Sequence, residues 1–365
     1  MWFKQKTNSQ NKQSKQGTYQ HQLASIQSNG IELAMPELLH YQNKTALIDL
    51  SARKNIHGQM SGNYLARSKG RGMEFDEVRH YQTGDDIRAI DWRVTARTGK
   101  THTKLFREEL ERPVHIATDL SASMHFGTQL LFKSVQAAHL ASLVAWHAKN
   151  RGDRLGGIVF NQHQHIELKP RSRKEGVLHY LHALTAIHNA QHQAQYGTAH
   201  NDNNDLNIPP LADNNDFSAN YFSANCARIR QVAKPGALVY LITDAQQLKI
   251  THTSPQHIAQ QQDALRHLTQ LSQHCELVVC LITDPLEQAL PASTAKLNVT
   301  LTDGHTRQQL TLGDNHTAKS YQKQAQQQFE HCSQLLSKAG ARVITYSAGQ
   351  TLEQQLKDGA QFCHQ

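Results

Sequence analysis

The sequence predicts an α/β protein built on a doubly wound, mainly parallel sheet. The first observation is a set of short, nearly all-apolar segments, PVHIATD, GALVYLITD and ELVVCLITD, which alternate with segments of helical periodicity. Strands of this composition are typical of parallel sheets covered by helices on both faces. The second observation is that these segments end at aspartates, namely Asp119, Asp244 and Asp284. Because functional groups in such sheets lie beyond the carboxyl ends of strands, we expect Asp119 and Asp244 to face one crevice.

The predicted elements follow this class in order along the chain. The strand at 113–119 precedes an amphipathic helix at 132–149, and RLGGIVF and HIELK are two further short strands. A polar stretch at about 190–220, rich in Asn and Asp, is predicted to be a loop insertion. Asp303-Gly304 lies at the centre of an alternating segment and indicates a hairpin. The remaining elements are a helix at 173–187, a strand at 236–244, a Gln-rich helix, a strand at 276–284, a helix at 316–338 and a strand at 341–348.

Two segments of different composition precede the predicted α/β domain at 113–365. Residues 1–27 are rich in Gln, Lys, Ser and Asn, and we expect a disordered basic tail. Residues 28–112 form a second segment with a basic, glycine-containing stretch. Part of the formal net charge of +8 lies in the tail, which weakens an inference of nucleic-acid binding from charge. The basic cluster at 67–71 has no interleaved aromatic residues, so we predict no nucleic-acid partner.

Cysteine usage and hydropathy predict a cytoplasmic protein. The five cysteines include no C-x-x-C pair, and an odd number of cysteines fits reduced thiols better than a disulfide framework. No apolar run approaches the roughly 18 residues needed to span a bilayer. The lysines near the start are not followed by an apolar stretch, so we predict neither a secretory signal nor a transmembrane segment. A peripheral association with membranes stays open.

The stretch TDLSASM, at 118–124, contains the candidate site. Asp119, Ser121 and Ser123 offer hard oxygen donors, which suit Mg²⁺ or Mn²⁺ better than Zn²⁺. Asp244 follows another predicted buried strand and would supply a second carboxylate. The same spacing also fits a capped turn, because Ser and Asp are common immediately before helices. The residues by themselves leave both interpretations open.

A series of short motifs gives the chain a family resemblance. Gly-Arg-Gly, Arg-x-Tyr, Gly-Asp-Asp, Ile-Asp-Trp and D-x-S-x-S occur in this order between residues 70 and 123. With these motifs the chain resembles the domain-of-unknown-function 58 family, over nearly everything from about residue 30. The resemblance implies a von Willebrand factor A-like fold with an additional N-terminal segment, here 28–112. It also implies an association with MoxR-type AAA+ ATPases and a role in assembling or maturing protein complexes.

The resemblance further implies a metal-ion-dependent adhesion site. Asp119, Ser121 and Ser123 match its first motif, and Asp244 matches its later aspartate. Thr198 and Ser218 are the two candidates for the intervening threonine donor. An Mg²⁺ or Mn²⁺ ion held by so few carboxylates is expected to bind weakly and to seek a carboxylate from a partner.

A second group of residues lies in RHYQTGDDIRAIDW. One interpretation is a buried, salt-bridged turn that Gly84 permits and a tryptophan anchors. The other interpretation is a docking surface for the ATPase or its client. The residues concerned are Arg79, Asp85, Asp86, Arg88, Asp91 and Trp92.

We therefore expect a non-enzymatic, metal-dependent protein-binding adaptor that works with a MoxR-type ATPase or a client complex. The alternative from another class is a metal-dependent hydrolase that uses Asp119 and Asp244, and a third candidate is a scaffold with a vestigial metal site. Aspartyl-phosphate chemistry needs an aspartate where Ser121 stands, and no G-x-x-x-x-G-K-[ST] loop is present for ATP. No activated nucleophile is evident from local spacing.

Overall fold

A computed structural model describes residues 19–48, 73–108, 113–196, 215–249, 255–291, 297–302 and 307–359. The chain divides into a small unit, His57–Glu111, and a main unit formed by the rest. The strands are β1 (Met73–His80), β2 (His102–Glu108), β3 (Pro113–Asp119), β4 (Arg154–Phe160), β5 (His165–Arg171), β6 (Leu238–Thr243), β7 (Glu276–Thr283), β8 (Leu297–Thr302), β9 (Arg307–Leu312) and β10 (Arg342–Ser347). The helices are α1 (19–25), α2 (Met35–His40), α3 (Trp92–Thr98), α4 (Lys133–Asn150), α5 (Arg173–Tyr196), α6 (Asn215–Val232), α7 (Pro255–Ser272), α8 (Pro285–Gln288), α9 (Asn315–Lys338) and α10 (Leu352–Lys357).

The main unit is built on a six-stranded sheet with the strand order β10-β7-β6-β3-β4-β5. Neighbouring strands are parallel, apart from the antiparallel pair β4 and β5. After β3 the chain builds the sheet towards β4 and β5, and it later returns to add β6 on the other side of β3. The strand order therefore reverses between β3 and β6, which is the topological switch point of the sheet. The predicted α/β class and the mainly parallel sheet are confirmed.

Helices cover both faces of this sheet, and each face has its own apolar core. On one face α4 and α5 bury Trp146 and Tyr180 against the strands. On the other face α6, α7 and α9 bury Phe222, Leu268 and Leu336. Every residue of β6 is buried, which explains why the central strands are apolar along their whole length instead of alternating.

The first described residues belong to the main unit. Leu38 lies in the core, and its carbonyl oxygen accepts hydrogen bonds from Ser142 Oγ at 2.7 Å and Trp146 Nε1 at 3.3 Å. The same carbonyl also accepts the backbone N–H at the C-cap of α2, so the two side-chain bonds attach the end of α2 to α4. The predicted segment 28–112 is therefore not one structural unit, because residues up to 48 pack with the α/β domain.

The predicted disordered tail at 1–27 also differs from the structure. Residues 19–25 are helical, and Ile26 is 1% exposed in the core of the main unit. Tyr19 and Leu23 pack against the same core. These apolar residues lie in a segment of mostly polar composition, so the composition of the segment did not predict their burial. Residues 1–18 lie outside the described residues.

The polar stretch predicted as a loop insertion at 190–220 is helical at both ends. Helix α5 continues to Tyr196, and α6 begins at Asn215. Tyr221 and Phe222 are buried and attach α6 to the sheet, so tertiary packing overrides a sequence rich in Asn. Residues 197–214 lie outside the described residues. The antiparallel pair β8–β9 confirms the strands of the predicted hairpin, and Asp303-Gly304 lies outside the described residues.

In the small unit, β1 and β2 pair antiparallel, and α3 lies between them in the chain. Gly99 ends α3 with a φ of 70°, a left-handed conformation that glycine adopts without strain. None of the helices within the described ranges is long and apolar enough to cross a membrane. The four cysteines of the described part are free thiols.

Candidate functional site

Asp119 lies at the carboxyl end of β3, beside the switch point, and is 1% exposed. Its Oδ1 accepts a hydrogen bond from the Ser121 backbone N–H at 3.0 Å. Its Oδ2 accepts one from the Thr243 hydroxyl, at the end of β6, at 2.8 Å. The parallel pairing of β3 and β6 thus brings the predicted carboxylate next to the strand that leads to Asp244.

Asp244 is the second buried carboxylate of the site. Its Oδ2 accepts a hydrogen bond from Lys133 Nζ at 2.8 Å, and its Oδ1 accepts one from the Gln246 backbone N–H at 3.1 Å. The hydroxyl oxygens of Ser121 and Ser123 are 3.3 Å apart. Interactions of Ser121 with Asp119 and of Ser123 with Asp244 complete a chain of oxygen atoms from one carboxylate to the other. The structure therefore brings together the four residues predicted as metal donors.

The two carboxylates have opposite electrostatic environments. Burial, and then the neighbouring Asp244 carboxylate, raise the pKa of Asp119 to about 7. Burial also acts to raise the pKa of Asp244, but the ammonium groups of Lys133 and Lys249 outweigh it and hold that pKa below its usual range. Asp244 therefore has an ion-pair partner, Lys133. Within the described part of the chain, Asp119 accepts hydrogen bonds but forms no ion pair.

Lys133, the first residue of α4, was not predicted to belong to the site. Its side chain is 1% exposed, and its Nζ also lies 2.7 Å from Glu287 Oε1. Lys249 Nζ lies 3.8 Å from the same Glu287 oxygen. When all groups are ionised, the three carboxylates and two ammonium groups leave the cluster with one net negative charge.

Two further residues were missed by the sequence analysis. Thr243 donates to Asp119, and the only signal for it was its position at the end of a buried strand. Tyr221, from α6, is buried close to Asp119 and Ser121, and burial together with the Asp119 carboxylate raises its pKa well above the usual range. Of the two candidates for the third donor, Thr198 lies outside the described residues. Ser218 lies within α6, in a part whose side chains are not described.

The donor set fits a hard dication. Two carboxylates and two hydroxyls converge at one buried point, where no described cation pairs with Asp119. The residues that would hold Mg²⁺ are Asp119, Ser121 and Ser123, with Asp244 sharing its charge with Lys133. Within the described ranges, no group of three or more His, Cys, Asp or Glu side chains is arranged to hold a metal ion. A group of that kind differs in composition from the candidate site, which has two carboxylates and two hydroxyl groups as donors.

The predicted residues of the small unit form local contacts around its turns. Arg79 Nη2 lies 2.7 Å from Asp85 Oδ1. Asp86 Oδ1 accepts a hydrogen bond from the Arg88 backbone N–H at 3.0 Å. The turn contains the Arg79–Asp85 salt bridge, but it is not the buried turn that the sequence suggested, because Asp86 and Arg88 are exposed.

Asp91 caps the first turn of α3, because its Oδ1 accepts from the backbone N–H groups of Arg93 and Val94 at 3.0 and 3.1 Å. The expectation that Trp92 anchors a buried turn is wrong, because Trp92 is 67% exposed. Ile87 is similarly 66% exposed. Both apolar residues directly follow an aspartate that caps a helical turn.

Comparisons with known proteins identify the family through a family model. A family model described as "Protein of unknown function DUF58" matches residues 77–331. The chain is similar to uncharacterized protein Rv1480 of Mycobacterium tuberculosis (strain H37Rv) and to uncharacterized protein Mb1516 of Mycobacterium bovis. Each is 33% identical over 135 residues, which cover 33% of this chain and 43% of the relative. The match thus spans less than half the length of these relatives. Since the family model covers more than half of the chain, this protein belongs to the DUF58 family.

Proposed function

We propose that this protein is a non-enzymatic adaptor that binds a protein partner through Mg²⁺ held at Asp119, Ser121, Ser123 and Asp244. The proposed partner is a MoxR-type AAA+ ATPase or a client complex, as the family resemblance implies. The observation that carries the proposal is the buried chain of oxygen atoms linking two carboxylates at the switch point of the sheet. Capped turns account for the bonds from the Ser121 N–H to Asp119 and from the Gln246 N–H to Asp244, but they do not require the two hydroxyls that link the carboxylates.

The charge of the cluster supports a binding role. With one net negative charge, the cluster attracts a dication only moderately, since Lys133 already occupies one oxygen of Asp244. A bound Mg²⁺ converts that single negative charge into a single positive one. The metal-loaded site then attracts a carboxylate, and an Asp or Glu of a partner replaces one of the waters that Mg²⁺ retains. Metal and partner therefore strengthen each other's binding, because coupling between sites is reciprocal.

A second feature supports a role in protein binding. Ile87 and Trp92 of the small unit are large apolar side chains exposed on neighbouring turns. Exposed apolar side chains mark a protein contact surface where they form a contiguous patch. In this proposal they form an additional contact for the ATPase or client, apart from the metal-dependent one.

The test is the affinity of the purified chain for its MoxR-type ATPase, measured by calorimetry with Mg²⁺ and with EDTA. We expect binding in Mg²⁺ to be weakened at least about tenfold by EDTA, which corresponds to about 1.4 kcal/mol. The double variant Ser121→Ala and Ser123→Ala should bind equally weakly in both conditions. Thr185→Ala is the matched control, because that hydroxyl bonds carbonyl groups of its own helix.

Two outcomes would contradict the adaptor. Equal affinity with Mg²⁺ and EDTA, for wild type and double variant alike, would leave TDLSASM as a capped turn only. Turnover of a phosphoester or peptide that requires Mg²⁺ and disappears in Asp119→Ala would favour the hydrolase. Thermal melting of each variant separates a lost contact from a lost fold.

A further inference from the structure

Strand β10 forms one edge of the six-stranded sheet, with β7 as its neighbour. In a parallel ladder the N–H and C=O groups of one residue point to the same side, and successive residues alternate. The backbone N–H of Ala348 donates to the Thr283 carbonyl at 2.8 Å, which fixes the residues that face β7. The backbone groups of Val343, Thr345 and Ser347 therefore point away from the sheet.

Ser347 shows how one position of this edge is satisfied. Its N–H donates to Gln355 Oε1 at 2.7 Å, and its carbonyl oxygen accepts from Gln355 Nε2 at 2.8 Å. One side-chain amide thus takes the place of a peptide group from a neighbouring strand. Among the described residues, the outward backbone groups of Val343 and Thr345 have no such partner. Within the described ranges, the edge is therefore capped at one end and open along the rest.

A groove of about 590 Å³ runs along this open edge. The three outward-facing residues line it together with Phe329 and Ser333 of α9. Its volume lies in the range of protein pockets that enclose ligands. Phe329 and Val343 are half-buried and pack against the adjacent core, so the groove has a firm apolar wall. An extended chain entering it would find backbone partners and apolar contacts side by side.

Arg342, at the start of β10, lines the same groove and adds a charge. Its Nε is buried and has no hydrogen-bond partner among the described residues. A buried donor without an acceptor destabilises a fold, and an acceptor supplied by a ligand removes that cost. Asp358 also lines the groove, but it is exposed to solvent and forms no described ion pair with Arg342.

We propose that the β10 edge binds an extended segment of a partner protein that carries an aspartate or glutamate. The segment adds a strand to the sheet by bonding the outward backbone groups of Val343 and Thr345, as in β-strand addition. Its carboxylate pairs with the Arg342 guanidinium group. The groove is two strands away from β6, and this proposal does not depend on metal at Asp119.

The probes are labelled, end-capped peptides of alternating valine and threonine, one with a central glutamate and one with glutamine there. Fluorescence anisotropy on the full chain should show about tenfold tighter binding of the glutamate peptide. Two further glutamate peptides carry N-methyl groups, each on one edge of the extended backbone. We expect one of them to lose binding and the other to keep it, because an added strand pairs through one edge.

Protein variants locate the binding on β10. Thr345→Pro removes an outward N–H without touching the ladder to β7, and it should abolish binding. Thr345→Val is the matched control that keeps the N–H and should bind like wild type. Arg342→Gln should bind the glutamate and glutamine peptides equally. If Thr345→Pro melts far below Thr345→Val, the N-methylated pair on wild type still decides.

Three results would overturn the proposal. Equal binding of both N-methylated peptides would exclude pairing through one strand edge. Wild-type binding by a folded Thr345→Pro chain would place the peptide elsewhere. A concentration-dependent dimer that Thr345→Pro abolishes, with no peptide bound by wild type, would assign the edge to a second copy of this chain.

Discussion

The two units use aspartates at the starts of turns in opposite ways. In the main unit, Asp119 is buried beside a second carboxylate, and its pKa is raised to about 7. In the small unit, Asp91 caps α3, and the hydrogen bond from the Val94 N–H, aided by Lys104, lowers its pKa. Both carboxylates accept backbone N–H groups, so hydrogen bonding alone does not separate them.

The difference lies in access to water. Asp119 is held beside Asp244 at the switch point, where desolvation and the neighbouring carboxylate oppose the ionisation of Asp119. Asp91 keeps solvent contact and gains from the partial positive charge at a helix start. A buried carboxylate whose ionisation is opposed, such as Asp119, is typical of a functional site, whereas a capping aspartate stabilises the fold directly.

The largest expected effect is the loss of the Lys133 ammonium. Lys133→Met leaves Asp244 buried without its ion-pair partner, and the free energy of unfolding should fall by about 3–5 kcal/mol. Urea denaturation in EDTA measures it. Lys249→Met is the matched control, since Lys249 lies 3.8 Å from Glu287 and is more exposed, and it should cost about 0–1 kcal/mol.

The same variant sharpens the comparison when metal is added. If Asp244 is a metal ligand, Mg²⁺ should stabilise Lys133→Met more than wild type, because the ammonium no longer competes for the carboxylate. Equal shifts of the denaturation midpoint in both proteins would show that Lys133 and Mg²⁺ do not share Asp244.

The next effect is a pH dependence of stability in EDTA. The pKa of Asp119 is about 7 in the folded chain, against about 3.9 for an unfolded aspartate. Between these values the unfolded chain releases the proton and the folded chain retains it. This group therefore contributes most below about pH 4, and its contribution is lost as the pH rises through 7.

Asp119→Asn isolates this contribution. The variant keeps an oxygen for the Ser121 N–H but cannot ionise, so its stability should fall less than that of wild type between pH 4 and 7. Buried histidines contribute to the pH dependence in the opposite direction; burial is the main cause that lowers the pKa of His188 to about 3. Both proteins contain these histidines, so the difference between the two pH profiles removes their contribution. Parallel pH profiles would mean that Asp119 ionises freely in the folded chain.

The sequence predicted the parts of the site that depend on local order. Asp119 and Asp244 each end an apolar segment, and parallel strands bring such ends to one edge. Lys133 could not be found in this way, because its two carboxylate partners lie 111 and 154 residues away in the chain. Its burial depends on how α4 and α8 pack, and lysine is usually an exposed residue.

The errors elsewhere have related causes. The polar composition of 190–220 predicted a loop, yet Tyr221 and its neighbour Phe222 hold α6 in the core. A tryptophan is usually well buried, yet Trp92 follows a helix cap and is exposed. Composition predicts an average environment, whereas these residues are placed by particular contacts of their elements.

The smallest effect concerns the cap of α3 and tests the other side of the comparison. Asp91→Ala removes the acceptor for the backbone N–H groups of Arg93 and Val94, so hydrogen exchange at both amides should accelerate. Asp91→Asn retains an acceptor oxygen and should keep most of the protection. Trp92→Ser should leave those amides nearly unchanged, because its exposed side chain makes little contribution to the cap. If Trp92→Ser accelerates exchange as much as Asp91→Ala does, the tryptophan stabilises the turn, and Asp91 is not the main source of its order.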